Sequence, residues 1–190
     1  MKDFNGCRYQ DIDFSDDRIF GSGSGSFMME NAVFENCSFS GCDLTELVTK
    51  KCVFSHCRFP FVKLNGSRTE FLECKGVGSS FTGATVTGLY IKGGNFSYAS
   101  FAHCDLRKID LSGISLVMAD FQECNLKQAV LKNCDLRQAN LHHANLEGAD
   151  ITGARIDGVD TNQAFFKGTK IDLPQAIYIA QLRGTVCVDL

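Results

Sequence analysis

The sequence predicts an all-β chain wound into a stack of square coils, and three observations predict it. Between Phe96 and Ile156, thirteen large apolar residues recur at a spacing of five: Phe96, Phe101, Leu106, Leu111, Leu116, Phe121, Leu126, Leu131, Leu136, Leu141, Leu146, Ile151 and Ile156. From Phe121 on, a small residue stands two positions before each of them: Ala119, Cys124, Ala129, Cys134, Ala139, Ala144, Ala149 and Ala154. The position between is mostly Asp or Asn, and the two positions that follow are mostly polar. At 44% apolar content, chance gives such a run roughly once in ten thousand tries.

A period of five suits neither a helix, whose apolar positions would run right round the cylinder, nor a strand, which alternates by two. A chain that buries two residues of every five must turn a corner every five. Four corners close a square coil of twenty residues, and stacked coils pair their backbones as parallel strands roughly 4.8 Å apart. The large residue fills the interior and the small one fits beside it. Asp or Asn suits a corner because its short side chain bonds nearby backbone amides.

The pattern starts near the N-terminus, with Cys7 before Tyr9 and Ile12 before Phe14. It breaks at Asp16–Glu30, where Gly21–Ser26 reads GSGSGS, the composition of a flexible loop, native or engineered. From Ala32 the fives resume through Phe34, Phe39, Leu44, Thr49, Phe54, Phe59 and Leu64. Seven positions separate Leu64 from Phe71, so two extra residues bulge within Asn65–Glu70. The register then holds to Phe166, with Gly76 and Thr161 as its weak members. Twelve of the sixteen Phe occupy the central inward position, most of those in the first half, so the two halves should differ in cross-section. The coil is therefore expected over 1–171 and a separate tail over 172–190.

The tail changes character at Asp172. Asp172 as N-cap, Pro174 in the first turn and Gln175 three residues on announce a helix over Pro174–Arg183, stopped by Gly184. Thr185–Val188 then looks like a short strand. A coil stack exposes its last apolar rung, so this tail must cap the coil or join a second copy.

Chemistry is sparse. Nine of the ten cysteines (all but Cys187) fall on the small inward position, and the pairs Cys37/Cys42 and Cys52/Cys57 are spaced by the repeat and not as CxxC ligands. They read as small buried hydrophobes, with Cys37/Cys57 and Cys104/Cys124 one coil apart. His56, His103, His142 and His143 fall on outward positions, and the recurring aspartates belong to corners. No phosphate loop, dinucleotide fingerprint or paired CxxC is present, so the sequence reads as a non-enzyme without cofactor or metal. The start, MKDFNGCRYQD, lacks the basic and apolar blocks of a secretory signal, and no run is apolar enough to span a membrane. A cytoplasmic location is expected. Net charge is −3, with acidic ends (residues 1–17 and 141–166) and a middle that is not. Phe61, Tyr90, Tyr98, Val117, Met118 and Phe165 are apolar at outward positions, and a cluster among them would mark a partner surface.

With these features in place, the chain resembles the pentapeptide-repeat family, A(D/N)LXX, whose members form a right-handed quadrilateral parallel β-helix. Within it, CRYQDIDFSDDRI, AVFENCSFSGCDL and above all GTKIDLPQAIYIAQLRG are similar to the Qnr/MfpA quinolone-resistance group. That resemblance implies a non-enzymatic DNA mimic that binds DNA gyrase or topoisomerase IV, modulates it or protects it from quinolones, and does not itself bind nucleic acid. It implies a homodimer joined end to end through Pro174, Ile177, Tyr178, Leu182, Val186 and Val188. Asp150, Asp157, Asp160 and Asp172, near the joined ends, are the expected gyrase contacts. Long projecting loops are represented only by the two-residue bulge and the Gly/Ser break, nearer the loop-poor MfpA pattern. The basic middle (Lys50, Lys51, Arg58, Lys63, Arg68, Lys75) fits mimicry only if those residues share one face. The alternatives are immunity against a natural gyrase poison and a general protein-interaction scaffold.

Overall fold

A computed structural model describes residues 4–15, 27–45, 47–64, 69–86, 88–182 and 184. Large inward residues at every fifth position force a turn after each, and the chain answers with short parallel strands stacked coil on coil. On one face β1 (Arg8–Gln10), β3 (Val33–Glu35) and β5 (Val53–Ser55) pair in that order. On another, β2 (Phe27–Glu30), β4 (Leu47–Lys50), β6 (Glu70–Leu72) and β7 (Tyr90–Lys92) pair likewise. Later rungs shorten to single parallel bridges at a constant step of twenty, such as Asn95↔Ser115, Ser115↔Asp135 and Asp135↔Arg155. Among the described residues one helix, α1 (Leu173–Leu182), follows the last coil. The result is a quadrilateral parallel β-helix.

Two coils depart from twenty. Val53↔Lys75 and Arg58↔Ser80 step by twenty-two, which places the two extra residues in the coil that contains Asn65–Glu70. Asp13↔Ser38 steps by twenty-five, a whole extra quintet, so the Gly/Ser break leaves the inside/outside phase intact. The irregularity expected over 16–30 is shorter than that at its C-terminal side. Residues Phe27–Glu30 form β2, paired in register with β4, and Met29 is fully buried because it occupies an inward position. A second expectation also fails. Ile12, assigned to an inward position, is 43% exposed, because it lies on the first described coil and no described coil stacks above it. Phe4 covers part of that open end, its ring against Tyr9, Phe14 and Phe34.

The corners explain the residue types around the large ones. The second residue after the large one takes a left-handed φ, as at His103 (60°), Met118 (56°), Gln128 (59°) and Asn133 (56°). The next N–H returns to the large residue's carbonyl, as Cys104 to Phe101 at 3.0 Å, closing a type II turn. The Asp or Asn before the large residue accepts the backbone N–H two residues on: Asp105 from Arg107 (3.3 Å), Asn140 from His142 (2.9 Å), Asp160 from Asn162 (2.8 Å). This is the backbone bonding expected of corner carboxylates and amides.

Inside, the large residues stack in columns. Phe14, Phe39, Phe59, Phe81, Phe101 and Phe121 lie ring over ring with centroids 4.8–5.4 Å apart. In the next column Tyr9, Phe34 and Phe54 stack, and then Gly76 intervenes. Its place is filled by Phe96, whose ring would lie 2.5 Å from a Cβ on Gly76. Inward polar residues are satisfied locally: Ser79 donates to the Phe54 carbonyl (2.5 Å) and Thr69 to that of Thr45 (2.7 Å). Among the described residues no buried side-chain nitrogen or oxygen lacks a partner.

Two predictions follow from corners and rungs. Gly94 has φ 105°, and a Cβ there would sit 2.0 Å from the Cys74 carbonyl oxygen, whereas Gly113 (φ 72°) has open space around it. Gly94→Ala should therefore cost at least about 3 kcal/mol and Gly113→Ala about 1 kcal/mol, read from denaturant unfolding. Asp135 is held below the ordinary carboxylate range chiefly by its hydrogen bonds to the Arg137 guanidinium, against the opposing push of burial. Its stabilisation is complete above the ordinary range and is lost as pH falls through the lower folded value. Asp135→Asn, which keeps the corner acceptor, should flatten the fall in melting temperature between about pH 5 and pH 2.

Candidate partner-binding surfaces

The C-terminal end is built by exchange of partners. In the body of the coil, corner N–H groups donate to the carbonyl of the coil below, as Asn133 does to Thr152 (3.1 Å). After the last coil, side chains of α1 and its cap take over. Asp172 Oδ2 accepts the Gly153 N–H (2.8 Å) and Tyr178 Oη accepts that of Gly158 (2.6 Å). Gln175, fully buried, donates through Nε2 to the carbonyls of Ile151 (2.6 Å) and Ala154 (2.8 Å). The same Gln175 forms the reciprocal capping box with Asp172 that the sequence announced, both bonds at 3.0 Å. One face of α1 thus seals the coil. The other leaves Leu173 (73% exposed) and Ile177 outward, while Leu182, one turn beyond Tyr178 on the sealing side, is half-exposed beside the last coil.

The residues expected at the joined ends are only partly together. Asp157, Asp172, Pro174, Ile177 and Tyr178 line one groove of 570 Å³ between the last coil and α1. Asp160 and Leu182 border a neighbouring depression. Asp150 lies apart: it accepts from Thr152 and pairs with Lys132 at 3.2 Å. Asp172 is occupied as a cap. Val186 and Val188 lie outside the described residues.

Rung pairing also settles which outward residues are neighbours, a matter the linear sequence leaves open. Tyr98, Val117 and Met118 meet on one corner, tied by Tyr98 N–H to the Val117 carbonyl (2.8 Å). Phe61, Tyr90 and Phe165 are exposed on other corners and faces. The basic middle is dispersed: Lys75, Arg58 and Lys63 belong to three different faces and Lys50 to the fourth, while Arg68 lies outside the described residues. No single basic face results.

The groups that could carry chemistry take structural places. Eight of the nine described cysteines are buried. Burial pushes the thiols of Cys104 and Cys134 up to about 11 and that of Cys57 to about 12. Cys74 instead moves down, held so chiefly by its pairing with the Cys52 thiol. His103 Nδ1 lies 3.2 Å from Glu123, and the His142 and His143 rings meet edge to face at 4.3 Å. Among the described residues no group of His, Cys, Asp and Glu converges to hold a metal ion, and no helix is long and apolar enough to cross a membrane.

Comparison with known proteins agrees with this geometry. The profile of the family described as Pentapeptide repeats matches eight copies, over residues 29–68, 77–113, 95–133 and 119–158. No curated protein matches in sequence. Among solved structures, the chain is similar to HetL, a pentapeptide repeat protein involved in heterocyst differentiation regulation from Nostoc sp. strain PCC 7120. That alignment has a TM-score of 0.57 and 16% identity and covers 88% of each chain. It is also similar to QnrB1, a plasmid-mediated fluoroquinolone resistance protein, with a TM-score of 0.52 and 19% identity over 97% of this chain and 99% of the other. Full-length QnrB1 gives the same TM-score at 18% identity. The family profile spans more than half of the chain, and the coil is the right-handed quadrilateral β-helix of these proteins: the chain belongs to the pentapeptide-repeat family.

Proposed function

We propose that this protein is a non-enzymatic binding rod that docks on the DNA-binding surface of a type II topoisomerase, DNA gyrase or topoisomerase IV, and modulates it or protects it from quinolones. The observation that carries the reading is the C-terminal tail. The Asp172–Gln175 box and Tyr178 fix α1 on the last coil while Leu173, Ile177 and Leu182 stay exposed. A cap needed only for solubility would turn a polar side outward. The tail sequence GTKIDLPQAIYIAQLRG is also the segment most like the Qnr/MfpA group, and the fold is that of a fluoroquinolone resistance protein over nearly its whole length. We read the apolar side of α1 as a twofold contact with a second copy, with Pro174, Ile177, Tyr178 and Leu182 at the seam and Val186 and Val188 continuing it. Of the four acids near that seam, Asp157 and Asp160 are the ones left to meet a partner, since Asp150 and Asp172 are engaged within the chain. The fold shared with HetL supports a second reading, a regulatory scaffold without a topoisomerase.

Supercoiling by purified gyrase, titrated with this protein with and without a fluoroquinolone, tests the proposal. Rescue in the presence of drug is expected. Inhibition without rescue would leave the topoisomerase as partner and remove drug protection, and no effect at micromolar protein would favour the scaffold. Leu173→Ser with Ile177→Ser should convert the dimer to a folded monomer in analytical ultracentrifugation, because neither side chain is buried within the chain. A dimer that survives both changes would place the seam elsewhere.

A further inference from the structure

The four faces differ in how their charges are matched. On three of them acids lie against bases: Glu35 with Arg8 (2.8 Å), Asp105 with Arg107 (2.7 Å), Asp135 with Arg137 (2.6 Å), Glu147 with Lys127 (2.9 Å), Asp150 with Lys132 (3.2 Å), although Asp110, in the row of Asp150, accepts from the Ser112 N–H instead. The remaining face carries the row Asp13, Ser38, Arg58, Ser80, Ser100, Asp120, Asn140 and Asp160. Among the described residues, no acid of this face forms an ion pair with Lys or Arg. Asp120 accepts from Gln122 N–H (3.1 Å) and Asn140 Nδ2 (2.9 Å), Asp160 from Asn162 N–H, and Glu123 meets only His103. Carboxylates satisfied by neutral donors keep their field available to an outside cation.

The shape of this face suits an occupant. Its middle is paved with small side chains that bond one another, Ser80 to Thr82 (3.2 Å) and Thr82 with Ser100 (3.1 Å), so nothing projects to keep a second surface away. Along one corner stand Tyr98, 60% exposed, and Met118, the aromatic and the thioether that serve as contact anchors. The corner diagonally across the rod carries Lys108 and Lys167 beside Arg107 and Lys127, which are paired with Asp105 and Glu147, so that corner is net basic. The rod therefore has a charge direction that would turn this face toward a basic surface.

We infer that the face bearing Ser80, Ser100, Asp120 and Asp160, with Tyr98 and Met118 along its corner, is where a protein partner presenting a basic patch docks. The inference rests on the reading that the rod works by binding a protein, and adds which of its four faces does so.

The repeat itself supplies variants that keep the fold. Asn stands at the corner position of Asp120 and Asp160 in other repeats (Asn125, Asn145), and Gln stands at that of Glu123 and Met118 (Gln128, Gln138). Asn likewise takes the left-handed φ of Tyr98 at Asn133. With intact gyrase as probe, Asp120→Asn/Glu123→Gln/Asp160→Asn should weaken binding about tenfold or more and reduce its salt dependence. Tyr98→Asn/Met118→Gln should weaken it several-fold at an unchanged salt slope, and Lys108→Gln/Lys167→Gln should do neither. If wild type binds and both face variants bind equally well, the face is wrong while the topoisomerase reading stands. If wild type does not bind gyrase, that reading falls, and hydrogen exchange with a deca-arginine peptide decides the face. Protection centred on residues 98–101 and 117–123 would support it, and protection elsewhere or none would overturn it.

Discussion

The parallel pairing of each coil with the next is the constraint on which everything else in this molecule depends. A rung bonds to its neighbour only if the chain returns to the same place after each circuit, so the coil must close in a fixed number of residues. Twenty residues and four corners do this, and each side then has five positions, of which two can face inward. The stacked phenylalanines are a consequence. A ring placed at one inward position meets another at about the rung spacing, which is why their centroids lie 4.8–5.4 Å apart.

The same constraint explains what the fold tolerates. An insertion of a whole quintet near the start leaves the phase unchanged, and two extra residues are accommodated within one circuit, since Val53 still pairs with Lys75 across them and Leu72 with Lys92 beyond them. Corners are costlier. Each asks for a left-handed residue, and the chain places Gln, Asn, His, Lys and even Tyr98 and Met118 there. Such residues accept about 1 kcal/mol or more of strain apiece, and the corner hydrogen bonds must offset it. Where backbone approaches backbone, as at Gly94, no side chain is admitted at all.

A stack of rungs has ends, and the ends are where this chain departs from its repeat. At the first coil, Phe4 lies over the exposed rings and Ile12 is left in solvent. At the last, Asp172, Gln175 and Tyr178 supply by side chain the hydrogen bonds that another coil would have supplied by backbone. The repeat also makes four chemically distinct walls out of one motif, because outward residues twenty apart become neighbours. Ion pairs match acids with bases on three walls, and among the described residues Asp120, Glu123 and Asp160 of the fourth pair with no lysine or arginine.

By itself the sequence determined the inside and the outside. The five-residue spacing of Phe and Leu, the small residue before each, and Asp or Asn at the corners are local signals, and each was legible because the same geometry repeats along the whole chain. The capping box at Asp172 and Gln175 was legible for the same reason: its two partners lie three residues apart. The tertiary structure alone decided what depends on circuits of unequal length. Coils of twenty-five and twenty-two residues in the first half set which outward side chains are adjacent there, so the placing of Lys75 on a different face from Lys50, Arg58 and Lys63 could not be read from spacing. Nor could the second task of Gln175, whose amide reaches carbonyls more than twenty residues back. Those contacts exist only once the coil has closed beneath the helix.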